Sequence, residues 1–229
     1  MRSPLHPAII AHRGLTEFGA IENTADAIQA AIDRGVVGVE FDVRRTRDGV
    51  WVVHHDATLE RVLQRPNVIA ENDWGDLERF EGLDRLEEIL VRFGPDCVPF
   101  VEVKEPEADG LDGLASALDA RARVGPVIAI ARGREMPAAI AGSTQGVQIY
   151  LYSRDWREAY DRSGEELAGY DLPWLGATDE IIVRVIERAE RRGQRVAVWT
   201  VNEADEAECW LDRGARWIIT DRPVALTSG

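Results

Sequence analysis

Only two cysteines, Cys97 and Cys209, stand among 229 residues. That is too few for a disulfide framework or a closed zinc site, although one bridge is formally available. Both are expected as reduced core residues, because a free thiol packs as a small hydrophobe. Long apolar runs are missing as well. No stretch reaches the roughly 18 residues that a membrane span needs, and the opening MRSPLHPAIIAHRG holds no long apolar segment before a small-residue cleavage signal. The expectation is a chain without an integral membrane segment, cytoplasmic in the simplest case. Positive charge is also short, with 27 Lys and Arg against 41 Asp and Glu and a net charge of −14. Such a balance argues against nucleic acid or an anionic membrane as partner. A small anion can still bind where a metal or a few arginines stand.

What is present suits a large core: 45% of residues are hydrophobic and seven are tryptophan. The pattern alternates short apolar strands with helical segments. Strands are expected at Ala8 to Ala11, Gly38 to Val43, Val98 to Lys104, Val127 to Ala131, Val147 to Leu151, Gly169 to Trp174, Arg195 to Trp199 and Arg216 to Thr220. Arg47-Asp48-Gly49 reads as a tight turn into a further strand, Val50 to Val53. Helices are expected from Asn23 or Thr24, over Leu83 to Phe93, Leu111 to Arg123, Arg134 to Ala141, Trp156 to Arg162, Thr178 to Arg192 with Thr178 as cap, and Glu203 to Arg213, where Asn202 and Asp205 mark the start. Ala57 to Gly82 reads as loop with short helical pieces. Eight β/α units imply a (β/α)8 TIM-type barrel with a small β-hairpin extension after strand 2, residues 1–229 forming one domain. A doubly wound open sheet is the alternative, but no G-x-G-x-x-G follows a strand.

The stretch Gly38 to Asp56 carries the chemistry. In Val39-Glu40-Phe41-Asp42-Val43 the apolar residues share one strand face and Glu40 and Asp42 the other. Glu102 and Lys104 likewise share a face with Phe100. Both faces of a parallel barrel strand are buried, so these charges belong inside the barrel, near its mouth. Three carboxylates against one lysine leave negative charge unbalanced, which costs several kcal/mol unless compensated. A divalent cation compensates it, and oxygen ligands imply a hard one, Mg2+ or Ca2+. No H-x-H or H-E-x-x-H pairs histidines for zinc, and His54 and His55 should point to opposite faces. His12, at the end of the first strand, and His55 are therefore assigned to proton transfer. Arg13 and Lys104 beside a metal imply an anionic ligand, most simply a phosphoryl group. The alternative is that each neutralises a neighbouring carboxylate.

Taken in order, His12-Arg13-Gly14, Glu22-Asn23-Thr24, Glu40-x-Asp42, Thr46-Arg47-Asp48-Gly49, His55-Asp56, Glu102-x-Lys104, Trp199-Thr200-Val201-Asn202 and Thr220-Asp221-Arg222-Pro223 resemble the glycerophosphodiester phosphodiesterase family. The resemblance implies a TIM-type barrel that cleaves a small-molecule phosphodiester with a divalent metal. Glu40, Asp42 and Glu102 are then similar to the metal ligands, His12 and His55 to the general acid and base, Arg13 and Lys104 to the phosphate contacts, and Trp199 to an aromatic wall. Glu22 matches a position at the same mouth, as ligand or as orienter of His12. The attacker implied is the glycerol 2-hydroxyl, through a cyclic phosphate. The chain departs from the family in having Arg61-Val62-Leu63 and a compact segment to Gly82 where an Arg-Thr-Thr stretch and a longer insertion are frequent, which leaves the head group open. A lysophospholipase D would need an exposed apolar rim, for which Trp74, Phe80 and Leu83 are the candidates. A non-catalytic phosphate-binding barrel would bind without turnover.

Overall fold

The computed structural model describes residues 8–162, 165–174 and 179–227. Eight parallel strands form a closed ring: β1 (Ile9–His12), β2 (Gly38–Arg45), β4 (Val98–Val103), β5 (Ile128–Ala131), β6 (Gln148–Tyr152), β7 (Gly169–Pro173), β8 (Arg195–Trp199) and β9 (Trp217–Thr220), while β3 (Trp51–Val53) pairs antiparallel to β2 outside it. Closure comes from β1, which pairs with β2 in the register Ile10↔Gly38 and with β9 in the register Ile9↔Ile218. The helices in chain order are α1 (Ala25–Asp33), α2 (Glu60–Leu63), α3 (Trp74–Leu77), α4 (Leu86–Leu90), α5 (Asp112–Ala122), α6 (Glu135–Ser143), α7 (Trp156–Asp161), α8 (Asp179–Arg191) and α9 (Ala204–Asp212). The fold is a (β/α)8 barrel with a hairpin extension on its second strand.

Strand alternation sorts the apolar side chains into two layers. Val39, Phe41, Val43, Val101 and Val103 pack outward against Ile28 of α1 and Leu114 and Leu118 of α5. Ile10, Phe100, Ile130, Tyr150, Ala197 and Ile219 fill the barrel interior, with Phe100 edge-on to Tyr150 at 6.2 Å and to Trp217 at 5.8 Å. Glu40, Asp42 and Glu102 sit on the inward face toward the carboxyl ends of the strands; Glu40 pairs with Phe100 and Asp42 directly with Glu102 across β2 and β4.

Several local expectations change. The helix read over Leu83 to Phe93 is confined to Leu86–Leu90, because the preceding residues extend the hairpin: Asp84 accepts from Val53 N at 2.8 Å and Arg85 bridges to Val52. Thr24, not Asn23, caps α1, its Oγ1 accepting from Ala27 N at 3.3 Å. Asn202 does not cap α9; Glu203 precedes that helix without a side-chain cap, and the Asn202 amide is committed elsewhere. The Thr178 cap lies outside the described residues. Cys97 is buried and Cys209 exposed, both free. Cys209 misses the core because α9 turns Ala207 and Trp210 inward, and position 209 falls between them on the solvent side. Trp74, Phe80 and Leu83 are no rim: Leu83 is buried, and the other two pack on the cluster of Val52, Leu59, Ile69 and Leu77 beneath the hairpin. Among the described residues no helix is long and apolar enough to cross a membrane.

Candidate active site

His12, Arg13, Glu40, His55, Glu102, Lys104 and Trp199 line one cavity at the carboxyl-terminal mouth of the barrel. Asp42 lies just beneath it, fully buried. The sequence-assigned residues are thus brought together although they come from five strands, β1, β2, β3, β4 and β8, or the segments that directly follow them. The chain turns sharply after β1 to achieve this. Arg13 adopts a left-handed backbone (φ 56°), pinned by its N–H to the Glu40 carbonyl at 2.7 Å and by its own carbonyl accepting from Asn23 N at 3.0 Å. Gly14 follows at φ 92°, where an added Cβ would lie 2.7 Å from the Ala27 carbonyl carbon. This bend swings the Arg13 guanidinium back over the acids.

One oxygen from each of Glu40, Asp42 and Glu102 falls within 4.8 Å of the others. Asp42 is the best held. Asn23 Nδ2 donates to its Oδ2 at 2.8 Å, Asn23 Oδ1 accepts from its backbone N–H at 3.1 Å, Arg13 Nε stands 3.2 Å from Oδ2, and Lys104 Nζ 2.8 Å from Oδ1. Burial pushes the Asp42 carboxyl up, but Lys104 and Arg13 outweigh it and hold it at about 2. Glu40 is the opposite case. Burial, with the Asp42 and Glu102 carboxylates beside it, drives its pKa well above the usual range. Among the described residues its Oε2 receives no hydrogen bond, and His12 Nε2 is 3.7 Å away. A buried carboxylate oxygen without a donor costs several kcal/mol. A hard divalent cation among the three carboxylates would satisfy it, so this donor set fits such an ion.

Each histidine is backed by its own carboxylate. His12 Nδ1 lies 2.6 Å from Asp221 Oδ1, and His55 Nδ1 lies 2.6 Å from Asp56 Oδ1. Both aspartates are held low despite burial, Asp56 at about 2 through Arg61 and His55, Asp221 through His12 and Asn202. An ionised carboxylate only accepts, so Nδ1 carries the proton in each ring and Nε2 is the atom left to exchange one. Lys104 Nζ bridges Asp42 and Glu102 at 2.8 and 2.7 Å. The neutralising role considered for it is therefore met while it still lines the cavity. Glu22 neither joins the triad nor bonds to His12. It accepts from Arg13 at 2.9 Å and Arg61 at 2.6 Å, and orients the former.

Comparison with known proteins decides what this constellation belongs to. The sequence model of the Glycerophosphoryl diester phosphodiesterase family matches residues 12–111 and 141–225. The chain belongs to that family. As a glycerophosphodiester phosphodiesterase family member it is a phosphoric diester hydrolase. Its relatives include "Probable glycerophosphodiester phosphodiesterase 2" of Mycobacterium tuberculosis, 27% identical over 93% of this chain and 86% of that one. The glycerophosphodiester phosphodiesterase of Caldanaerobacter subterraneus is 26% identical over 95% of both. Among solved structures, an Oleispira antarctica phosphodiesterase in complex with the product sn-glycerol-3-phosphate shares the fold with a TM-score of 0.82 at 18% identity, covering 98% of this chain and 96% of that one.

Several further residues of this cavity and its supports carry no role that the sequence makes legible. Asp221 and Asp56 stood in the quoted motifs without one. Asn23 and Asn202 stand where the sequence pattern places helix starts; in the structure Asn202 Oδ1 accepts from Asp221 N at 2.9 Å and its Nδ2 donates to Asp221 Oδ2 at 3.2 Å. Arg61 ties Asp56 to Glu22 at 2.6 Å each. Asp171 on β7, buried at 3% exposure and with Oδ1 unpaired among the described residues, and Arg132, Tyr152 and Arg154 also line the cavity. For Asp221, Asp171, Arg132, Tyr152 and Arg154 the available signal is position, because each lies on or just past the carboxyl end of a barrel strand, where functional groups of this fold gather; Asn23, before α1, and Arg61, within α2, carry no such signal.

Proposed function

We propose that the enzyme hydrolyses glycerophosphodiesters to glycerol 3-phosphate and a free alcohol by histidine acid–base catalysis with a divalent metal, Mg2+ or Ca2+, and that residues 1–229 work as one catalytic domain. The observation that carries this reading is the pair of carboxylate-backed imidazoles, His12–Asp221 and His55–Asp56, opening on one cavity with the triad of Glu40, Asp42 and Glu102. The triad would hold the metal, which when bound supplies positive charge against the phosphoryl oxygens. Arg13 and Lys104 face the same cavity and would bind the phosphoryl group, stabilising the charge that grows on it during transfer. One histidine takes the proton of the attacking glycerol 2-hydroxyl at Nε2 while the other gives a proton at Nε2 to the departing alcohol oxygen, and water then opens the cyclic phosphate to glycerol 3-phosphate with the two roles reversed. Trp199, stacked on Tyr152 at 5.3 Å, would wall the substrate. The sn-glycerol-3-phosphate held by the Oleispira antarctica neighbour supports the same product here.

The experiment is incubation of the purified enzyme with glycerophosphocholine and Mg2+ or Ca2+, with and without EDTA, beside His12→Ala and His55→Ala. Metal-dependent release of glycerol 3-phosphate that both substitutions abolish supports the proposal. Tight binding of glycerol 3-phosphate with no turnover would favour the non-catalytic barrel instead. The lysophospholipid reading loses its support with the packing of Trp74, Phe80 and Leu83.

A further inference from the structure

The cavity extends past the phosphate contacts along a wall made at the ends of β6 and β8. Tyr152 and Trp199 stack there with ring planes 12° apart. Two guanidiniums attend the tyrosine. Arg132 lies over its ring at 4.0 Å, and Arg154 Nε donates to its hydroxyl oxygen at 3.0 Å. The other cations of this cavity are each matched with an acid: Arg13 with Asp42 and Glu22, Lys104 with Asp42 and Glu102, Arg132 with Glu102 at 3.0 Å. Arg154 differs. Among the described residues its hydrogen-bond partner is the Tyr152 hydroxyl, and no carboxylate lies within ion-pair distance of it. In a chain with 41 acids to 27 basic residues, an arginine at the cavity wall without an acid invites one from outside. The phenol fixes one edge of its fork and the ring face holds its neighbour, so part of the ordering cost of binding is met before a ligand arrives.

We infer that Arg154, assisted by Arg132, forms a subsite for an anionic group on the alcohol half of the diester, so that the enzyme favours glycerophosphodiesters whose leaving alcohol carries its own carboxylate or phosphate. This rests on reading the cavity as the diesterase site. The neutral and cationic head groups lack the acceptor that the guanidinium fork addresses. A carboxylate or phosphate accepts from it in a charge-assisted, bidentate manner.

Glycerophosphoserine and glycerophosphoethanolamine differ only by a carboxylate, which makes them the test pair. The wild-type kcat/KM should favour the serine diester at least about tenfold, the worth of one charge-assisted contact. Arg154→Gln should erase most of that ratio and Arg154→Lys should keep part of it, while a diester of glycerol phosphate reports whether a phosphate serves as well as a carboxylate. A wild-type ratio near one, or a ratio that Arg154→Gln leaves unchanged, overturns the inference. Calorimetric titration of O-phosphoserine against phosphoethanolamine reads the same subsite without turnover. Preference for O-phosphoserine that Arg154→Gln removes supports the subsite even if every diester is inert, an outcome that would count against the hydrolytic proposal alone. Equal affinities would overturn the subsite whatever the turnover.

Discussion

Asp221 reaches His12 at 2.6 Å across 209 positions of the chain, and Asn202 in turn holds Asp221 through both of its own side-chain ends. A carboxylate at this place dictates which ring nitrogen carries the proton; an amide of the same shape can dictate the opposite. Asp221→Asn should therefore leave KM near its original value and lower kcat by about a hundredfold to ten-thousandfold, as expected when a base is held in the wrong tautomer. Steady-state kinetics beside a thermal melt checks this. A parallel rise in KM would mean that Asp221 serves binding instead.

Asn23 makes two hydrogen bonds to one buried residue, Asp42, from a left-handed backbone position (φ 59°). Asn23→Ala strips both partners while the burial of Asp42 persists. Urea unfolding should show a loss of about 2 kcal/mol, and divalent-metal affinity should fall by roughly ten- to a hundredfold because the ligand loses its orienting partner.

Glu40, Asp42 and Glu102 repel one another in the absence of a cation, and Glu40 carries most of the strain as a raised pKa. Adding Mg2+ or Ca2+ at about a hundred times its Kd should raise stability by about 2.7 kcal/mol. Glu40→Gln should raise the melting point of EDTA-treated protein and abolish the increase on adding metal. Calorimetric melts with and without metal give both readings.

Asp56 is held at about 2 against an ordinary 3.8. A depressed carboxyl adds stability that is complete above the unfolded value and is lost as pH falls through the folded one, so the window runs from about 4 down to 2. Because Asp56 is partly exposed, its contribution should be near 1 kcal/mol at most. Asp56→Asn should thus be less stable than wild type by about that amount at pH 7, and the two should converge by pH 2. A constant gap in urea midpoints across that range would contradict the assignment.

The barrel was legible because each strand is apolar through its packed middle, and the buried charges of the strands, Glu40, Asp42, Glu102 and Asp171, gather toward the mouth. Glu40, Asp42 and Glu102 stood out since they broke a core pattern, and the register that pairs Asp42 with Glu102 follows from the strands themselves. What stayed hidden depends on contacts between distant segments. Asn23 and Asn202 sit where a helix cap is expected, and only the approach of Asp42 and Asp221 in space diverts them. Asp84 and Arg85 look helical until β3 offers them a partner. Arg132 and Arg154 lie just past strand ends, where no periodicity tells which way a side chain turns.

Ring closure by β1 has a consequence for synthesis and quality control. The strand that carries His12 is made before the rest of the barrel, yet one of its two flanking strands, β9, and the carboxylate that sets its tautomer, directly after β9, arrive only once the other barrel strands have been made. Activity should therefore be withheld from every nascent or prematurely terminated product that lacks β9 and Asp221, however much of the metal-ligand set it already contains. The first and last strands act as a clasp, and catalysis begins only when it shuts.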